Sequence, residues 1–184
     1  MASLAQRVAY TTQMLGFARV QLLLLKQDLN PFQKRACKHA FLMQTVHGFI
    51  AYLEEIDALP ARETGQSLPL IGLVNAVSTN LKNIKDDFRA SEISLLLQSA
   101  TYARGDSEPG WLLQLLTLFE ASQQATIVER KDQQEEAESA NLIIAVATNV
   151  SEKYWWDPQA EELERLLSAL EQLIARQRES SAEN

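Results

Sequence analysis

Turn residues and cross-links are both scarce in this chain. Six Gly and five Pro in 184 residues are too few for the many tight turns of an all-β fold, and they favour long helices. The single cysteine, Cys37, excludes an intrachain disulfide and suits a reducing, cytoplasmic compartment. Glycine-rich phosphate loops are missing. Neither G-x-G-x-x-G nor a Walker sequence occurs, which argues against nucleotide binding by those routes. Long apolar runs are missing too. The densest, Val20 to Leu25, is interrupted by Gln21 and closed by Lys26, far short of the ~20 residues a membrane span needs. Residues 1–30 show no basic n-region leading into a clean apolar core and a cleavage site.

What is present is ordinary for a globular chain. Hydrophobic residues make up 46% and charged residues 22%. One domain is the simplest reading of this length, and it needs no disulfide or metal to hold it. The net charge of −7 is unevenly spread. Residues 1–60 hold six Lys and Arg against four Asp and Glu, whereas residues 106–184 hold six against sixteen. So acidic a C-terminal third argues against nucleic-acid binding, which rests on neutralising phosphates. It serves solubility, or pairs with a basic partner.

Helix signals follow one another along the chain. Ser3 with Gln6 makes a capping box. Leu4, Val8, Thr11, Leu15, Ala18, Leu22, Leu25 and Leu29 then recur at helical spacing. Met14, Phe17 and Leu24 widen that stripe, predicting a helix to about Asp28 that is buried over much of its girth. Asn30 and Pro31 suit the N-cap and N1 positions of a second helix. Its predicted stripe is Phe32, Ala36, His39, Met43, Val46, Ile50, Leu53 and Asp57, and it ends before Pro60. The short linker makes the two helices an antiparallel hairpin. A loop spans Pro60 to Pro69, with a shorter helix after Ser67. Asp86 or Asp87 caps the next helix, with Phe88, Ile93, Leu96, Leu97 and Ala100 facing inward and Gly105 ending it. Ser107 caps a helix carrying Trp111, Leu112, Leu115, Leu118 and Phe119. "NLIIAVATNV", 141–150, is β-branched but has no strand partner in view, so a helical or irregular packed segment is expected. In "KYWWDP", Asp157 suits an N-cap and Pro158 suits N1. Leu163, Leu166, Leu167, Leu170, Leu173 and Ile174 give that last helix an apolar stripe running towards Arg178.

Candidate chemistry is thin. His39 and His47 lie eight residues apart, about 12 Å along a helix axis, too far for one helix to hold a metal with both. Neither Glu-x-x-His on two helices nor His-Glu-x-x-His occurs, so no metal or other cofactor is expected. A hydrogen-bonded core or boundary histidine accounts for His39, and a surface pair with Glu54 for His47. Cys37, with Lys34 and Lys38 nearby, is a candidate reactive thiol, yet a lone helical Cys is usually a small buried hydrophobe. Lys26, Lys34, Arg35 and Lys38 form one basic cluster at the helical turnaround, either a solvated helix end or a patch for a small anion or a docking partner. RNA-cleaving bundles of the HEPN class place four to six residues between an Arg and a His, but Arg35 and His39 have three between them. Trp155 and Trp156 stand just before the last helix as a core-sealing plug, or as an aromatic docking surface.

The long amphipathic first helix, "HAFLMQTVHGFIAYLEEI" (39–56) and "LIARQRES" (173–180) resemble a family of small uncharacterised gammaproteobacterial helical proteins, a domain of unknown function. The resemblance implies an α-helical protein of the bacterial cytoplasm and carries no functional residues. The residues themselves predict an all-α single-domain bundle of five to six helices over 1–179, built on the helix 1–helix 2 hairpin, with a disordered tail at 180–184. They point to a non-catalytic interaction or adaptor protein that binds a protein partner or itself, with no catalytic residue assigned. Candidate contacts are Arg35, His39, His47, Trp155 and Trp156. The alternative is a ligand-binding or weakly enzymatic bundle with a site near His39, Cys37 and Arg35.

Overall fold

The computed structural model describes residues 3–59, 84, 87–101, 110–123 and 157–182. Within them lie five helices and no strand, an all-α bundle. They are α1 (Leu4–Leu25), α2 (Pro31–Glu55), α3 (Asp87–Thr101), α4 (111–123) and α5 (Ala160–Ala182). The helix expected after Ser67, the helix signals at Gly105 and Ser107, the 141–150 segment and the Trp155–Trp156 pair fall outside the described residues.

The first turn of α1 is closed by Ser3 and Gln6, each side chain bonding the other's backbone N–H. Asn30 and Gln33 do the same for α2, with Pro31 at its first position. α1 ends at Leu25, a turn earlier than the sequence suggests, where the Lys26 and Gln27 N–H groups reach back to the Leu23 and Leu24 carbonyls. At the end of α2 the Ala58 N–H bonds the Leu53 carbonyl at 2.8 Å and the Asp57 N–H bonds that of Glu54 at 3.3 Å. This is a Schellman turn, with Asp57 at φ 60° where glycine is commoner. Arg7 crosses from α1 to steady it, donating to the Glu54 carbonyl at 2.5 Å and to the Asp57 carboxylate at 2.6 Å. A cation over the last carbonyls of α2 also suits the negative end of its dipole.

The two long helices pack closely as an antiparallel hairpin. Gly48 marks the closest approach: a Cβ there would lie 2.9 Å from Leu15 Cδ2. α5 runs antiparallel to α1. Lys26 pairs with Glu164 at 3.0 Å and Arg19 with Glu171 at 2.7 Å, two turns apart on each helix. α4 lies antiparallel to α2, with Trp111 edge-on to Phe49 at 6.2 Å between ring centroids and Gln123 beside Met43. One continuous core joins Leu15, Leu22, Phe41, Phe49, Tyr52, Ile93, Leu97, Leu112, Leu115 and the α5 stripe.

Burial follows the expected α5 stripe from Leu163 to Ile174, but it departs from the sequence reading elsewhere. On α2 the fully buried row is Phe41, Leu42, Thr45, Phe49, Tyr52 and Leu53. Phe32 is 81% exposed, Ala36 and Asp57 are exposed, and His39 and Met43 are half-buried. Val46 and Leu53 of the expected stripe are buried as read, but its earlier members gave way to the row with the larger side chains, because volume decides how well a gap is filled. On α1, Phe17 does not widen the buried stripe. Tyr10, Phe17, Val20 and Leu23 are 47%, 44%, 50% and 63% exposed. Phe88 of α3 is exposed rather than inward; α3 begins at Asp87, so that residue lies inside the helix, and Asp86 falls outside the described residues.

Both ends of α5 also differ from expectation. The helix starts at Ala160, with the Leu163 N–H bonded to the Gln159 carbonyl at 3.1 Å. Asp157 does not cap it: its carboxylate accepts from Lys38 Nζ at 2.5 Å. The helix then runs through Ser180 and Ser181 to Ala182, into the stretch read from sequence as a disordered tail. Contacts made by its final turns, described next, hold it in place.

Candidate functional site

The chemically richest cluster lies where the end of α2, the start of α3 and the end of α5 meet. Gln177 is its hub. Fully buried on α5, it accepts the Tyr52 hydroxyl proton at Oε1 and donates from Nε2 to Glu92 at 2.7 Å. Arg89 donates from Nε and Nη2 to the Gln177 backbone carbonyl at 3.1 and 2.7 Å. Arg176 pairs with the other Glu92 oxygen. One turn along α2 from Tyr52, the buried Glu55 carboxylate takes both arms of Arg178, Nε at 2.9 Å and Nη2 at 2.7 Å. Two-point pairing of this kind is the strongest geometry an Arg and a carboxylate can make.

The helical repeat brings these groups together. Tyr52 and Glu55 are three residues apart and share the α2 face. The α5 stripe of Leu170, Leu173 and Ile174 continues at the same spacing to Gln177. Burial is the main cause that pushes the Tyr52 phenol above its ordinary value, with Arg89 pulling it down and Glu55 pushing it up. The hydroxyl therefore stays protonated and donates. Each carboxylate of the cluster faces a guanidinium, and each polar group named here has a partner within the protein. The arrangement fastens three helices together at one end of the bundle. Sequence reading missed it. The available signal was a polar Gln at a stripe position of an otherwise leucine-lined helix.

The residues singled out from sequence are placed differently. Arg35 and His39 lie one turn apart on the same side of α2, both half-buried. Cys37, two residues from each, projects to the other side and packs against the core. The three therefore do not converge on one site. Desolvation lowers the His39 pKa, favouring a neutral imidazole. His47 is exposed, though the protein around it still lowers its pKa by desolvation. Two members of the basic cluster are engaged within the fold, Lys26 with Glu164 and Lys38 with Asp157. Among the described residues, no group of three His, Cys, Asp or Glu could hold a metal ion, and no helix is long and apolar enough to cross a membrane.

No protein-family model matches the chain, and no curated protein or solved structure shows significant similarity to it.

Proposed function

We propose that this chain is a non-catalytic interaction or adaptor protein of the bacterial cytoplasm, acting through the outer face of α1. The observation that carries this reading is the row Tyr10, Phe17, Val20 and Leu23, large apolar side chains each about half exposed along one helix. Apolar side chains grouped on a surface mark places where proteins meet, and aromatic ones supply much of the binding energy there. The polar cluster at Gln177 contrasts with this row, because its groups are satisfied by one another. The lone cysteine supports the compartment, and the family resemblance supports the bacterial origin. Affinity capture from a native bacterial lysate, with mass spectrometry, tests the reading. The wild-type chain should recover a defined protein set, its own copies included. The double variant Phe17→Ser, Val20→Ser should lose most of it while keeping its helical circular-dichroism spectrum. Equal recovery by both forms would overturn the reading.

A further inference from the structure

α5 repeats itself. "LERLL" (163–167) is followed seven residues on by "LEQLI" (170–174), and Leu163, Leu166, Leu167, Leu170, Leu173 and Ile174 are all buried. α1 carries the same period. Leu15 and Leu22 are seven apart and buried, as are Ala18 and Leu25. Arg19 and Lys26, also seven apart, pair with Glu171 at 2.7 Å and with Glu164 at 3.0 Å. Seven residues fall only about 20° short of two helical turns. A slide of α5 along α1 by one unit, about 10 Å, would therefore put leucine where leucine stood and one Glu in place of the other. These contacts hold α5 to α1, but they do not choose between neighbouring alignments.

The third unit, "QRESS" (177–181), breaks the repeat. Gln177 stands at the position of Leu163 and Leu170, and Arg178 at that of Glu164 and Glu171. Both find partners outside α1. Gln177 joins Tyr52 to Glu92, and Arg178 holds the buried Glu55 carboxylate by two bonds. We propose that Gln177 and Arg178 are a register lock for α5. A one-unit slide towards its C-terminal end would bring Glu171 against Glu55 and leave Tyr52 and Glu92 facing Leu170. A slide the other way would bury Gln177 in the site of Leu170, away from both partners, and set Arg178 against Arg19. Burying a polar group or a charge without its partner costs far more than an exposed ion pair returns. The third unit thus decides what the first two leave open, the best-attested role of buried polar groups. Breaking the lock moves a whole helix by a fixed step instead of loosening its end.

Electron paramagnetic resonance distances between two spin labels test the step. In a Cys37→Ser background, labels on Gln13→Cys and Glu161→Cys, both exposed sites, should give one narrow distance when the lock is intact. Gln177→Leu, Arg178→Glu continues the repeat and puts a carboxylate opposite Glu55. It should lengthen that distance by about 10 Å, the rise of seven helical residues, with the helical circular-dichroism spectrum kept. Adding Glu55→Lys restores opposite charges there and should return the distance to its first value, a reversal that general loosening would not produce. Glu55→Gln, Gln177→Leu is the milder variant and serves if the first does not fold. It removes the lock without adding repulsion, while Arg178 still bars the slide towards Arg19. A second distance about 10 Å shorter should then appear beside the first. A single unshifted distance in the milder variant overturns the lock, as does one in the folded Gln177→Leu, Arg178→Glu chain. So does a broad spread without a discrete step, which would mean that the end of α5 frays rather than slides.

Discussion

Two glycines on neighbouring helices give the sharpest residue-scale contrast. Glycine costs a helix interior about 1 kcal/mol relative to alanine. At Gly16 the space is open, so Gly16→Ala should raise stability by up to about 1 kcal/mol. At Gly48 the new methyl would meet Leu15 Cδ2 at 2.9 Å, with Met14 Cβ also close. Leu15 is itself buried and has little room to yield, so overpacking of about 1–3 kcal/mol outweighs the propensity gain. Urea unfolding of the two variants should therefore show shifts of opposite sign. Equal shifts would mean that α1 and α2 are not in close contact at Gly48. Tyr52 offers a second residue-scale prediction. Tyr52→Phe leaves Gln177 Oε1 without its donor inside the core, at a cost of about 1–3 kcal/mol. The phenol also links stability to pH. Its folded pKa is raised above the unfolded value of 10, so the folded state holds the proton longer. That stability is complete below pH ~10 and is lost as pH rises beyond it. Unfolding midpoints between neutral pH and pH 11 should fall more steeply for wild type than for Tyr52→Phe. Parallel curves would place the hydroxyl in contact with water.

At the scale of elements, the question is what holds α5 to the hairpin. Its ion pairs with α1 are largely exposed, and pairs of that kind contribute about 0–1 kcal/mol. Its buried leucine stripe outweighs them: Leu170 is fully buried, and truncating a core leucine costs about 2–5 kcal/mol. Leu170→Ala, and Leu22→Ala on the facing α1, should each lose stability in that range in denaturant melts. Glu171→Gln should stay within about 0.5 kcal/mol, as surface changes do. The reverse order would make α5 an electrostatically docked element and predict its release by salt. The helices were legible because their signals are local. A capping box needs four consecutive residues, and an apolar stripe needs one helix's own repeat. The α5 start shows where local signals stop: Asp157 fits an N-cap by residue type, but Lys38, 119 positions away in sequence, takes its carboxylate.

At the scale of the whole molecule, one core spans all five described helices, and neither disulfide nor metal is needed to explain its cohesion. Cys37 has no second cysteine to bond, and the two histidines are spaced too far apart on α2 to share an ion. Adding EDTA and a reductant should leave the thermal circular-dichroism melt unmoved, and a clear drop in melting temperature with EDTA would point to a bound metal. By itself the sequence determined the all-α class, the hairpin, its caps and the α5 stripe, because period, cap chemistry and short linkers act over a few residues. Only the tertiary structure decided which apolar row of α2 faces inward, since that depends on the volumes that neighbouring helices leave to fill. It alone brought Tyr52, Glu92 and Gln177 together and separated Cys37 from Arg35 and His39. It also left Tyr10 and Phe17 facing outward. Apolar spacing marks a residue as fit for burial, but burial itself requires a second surface to meet it.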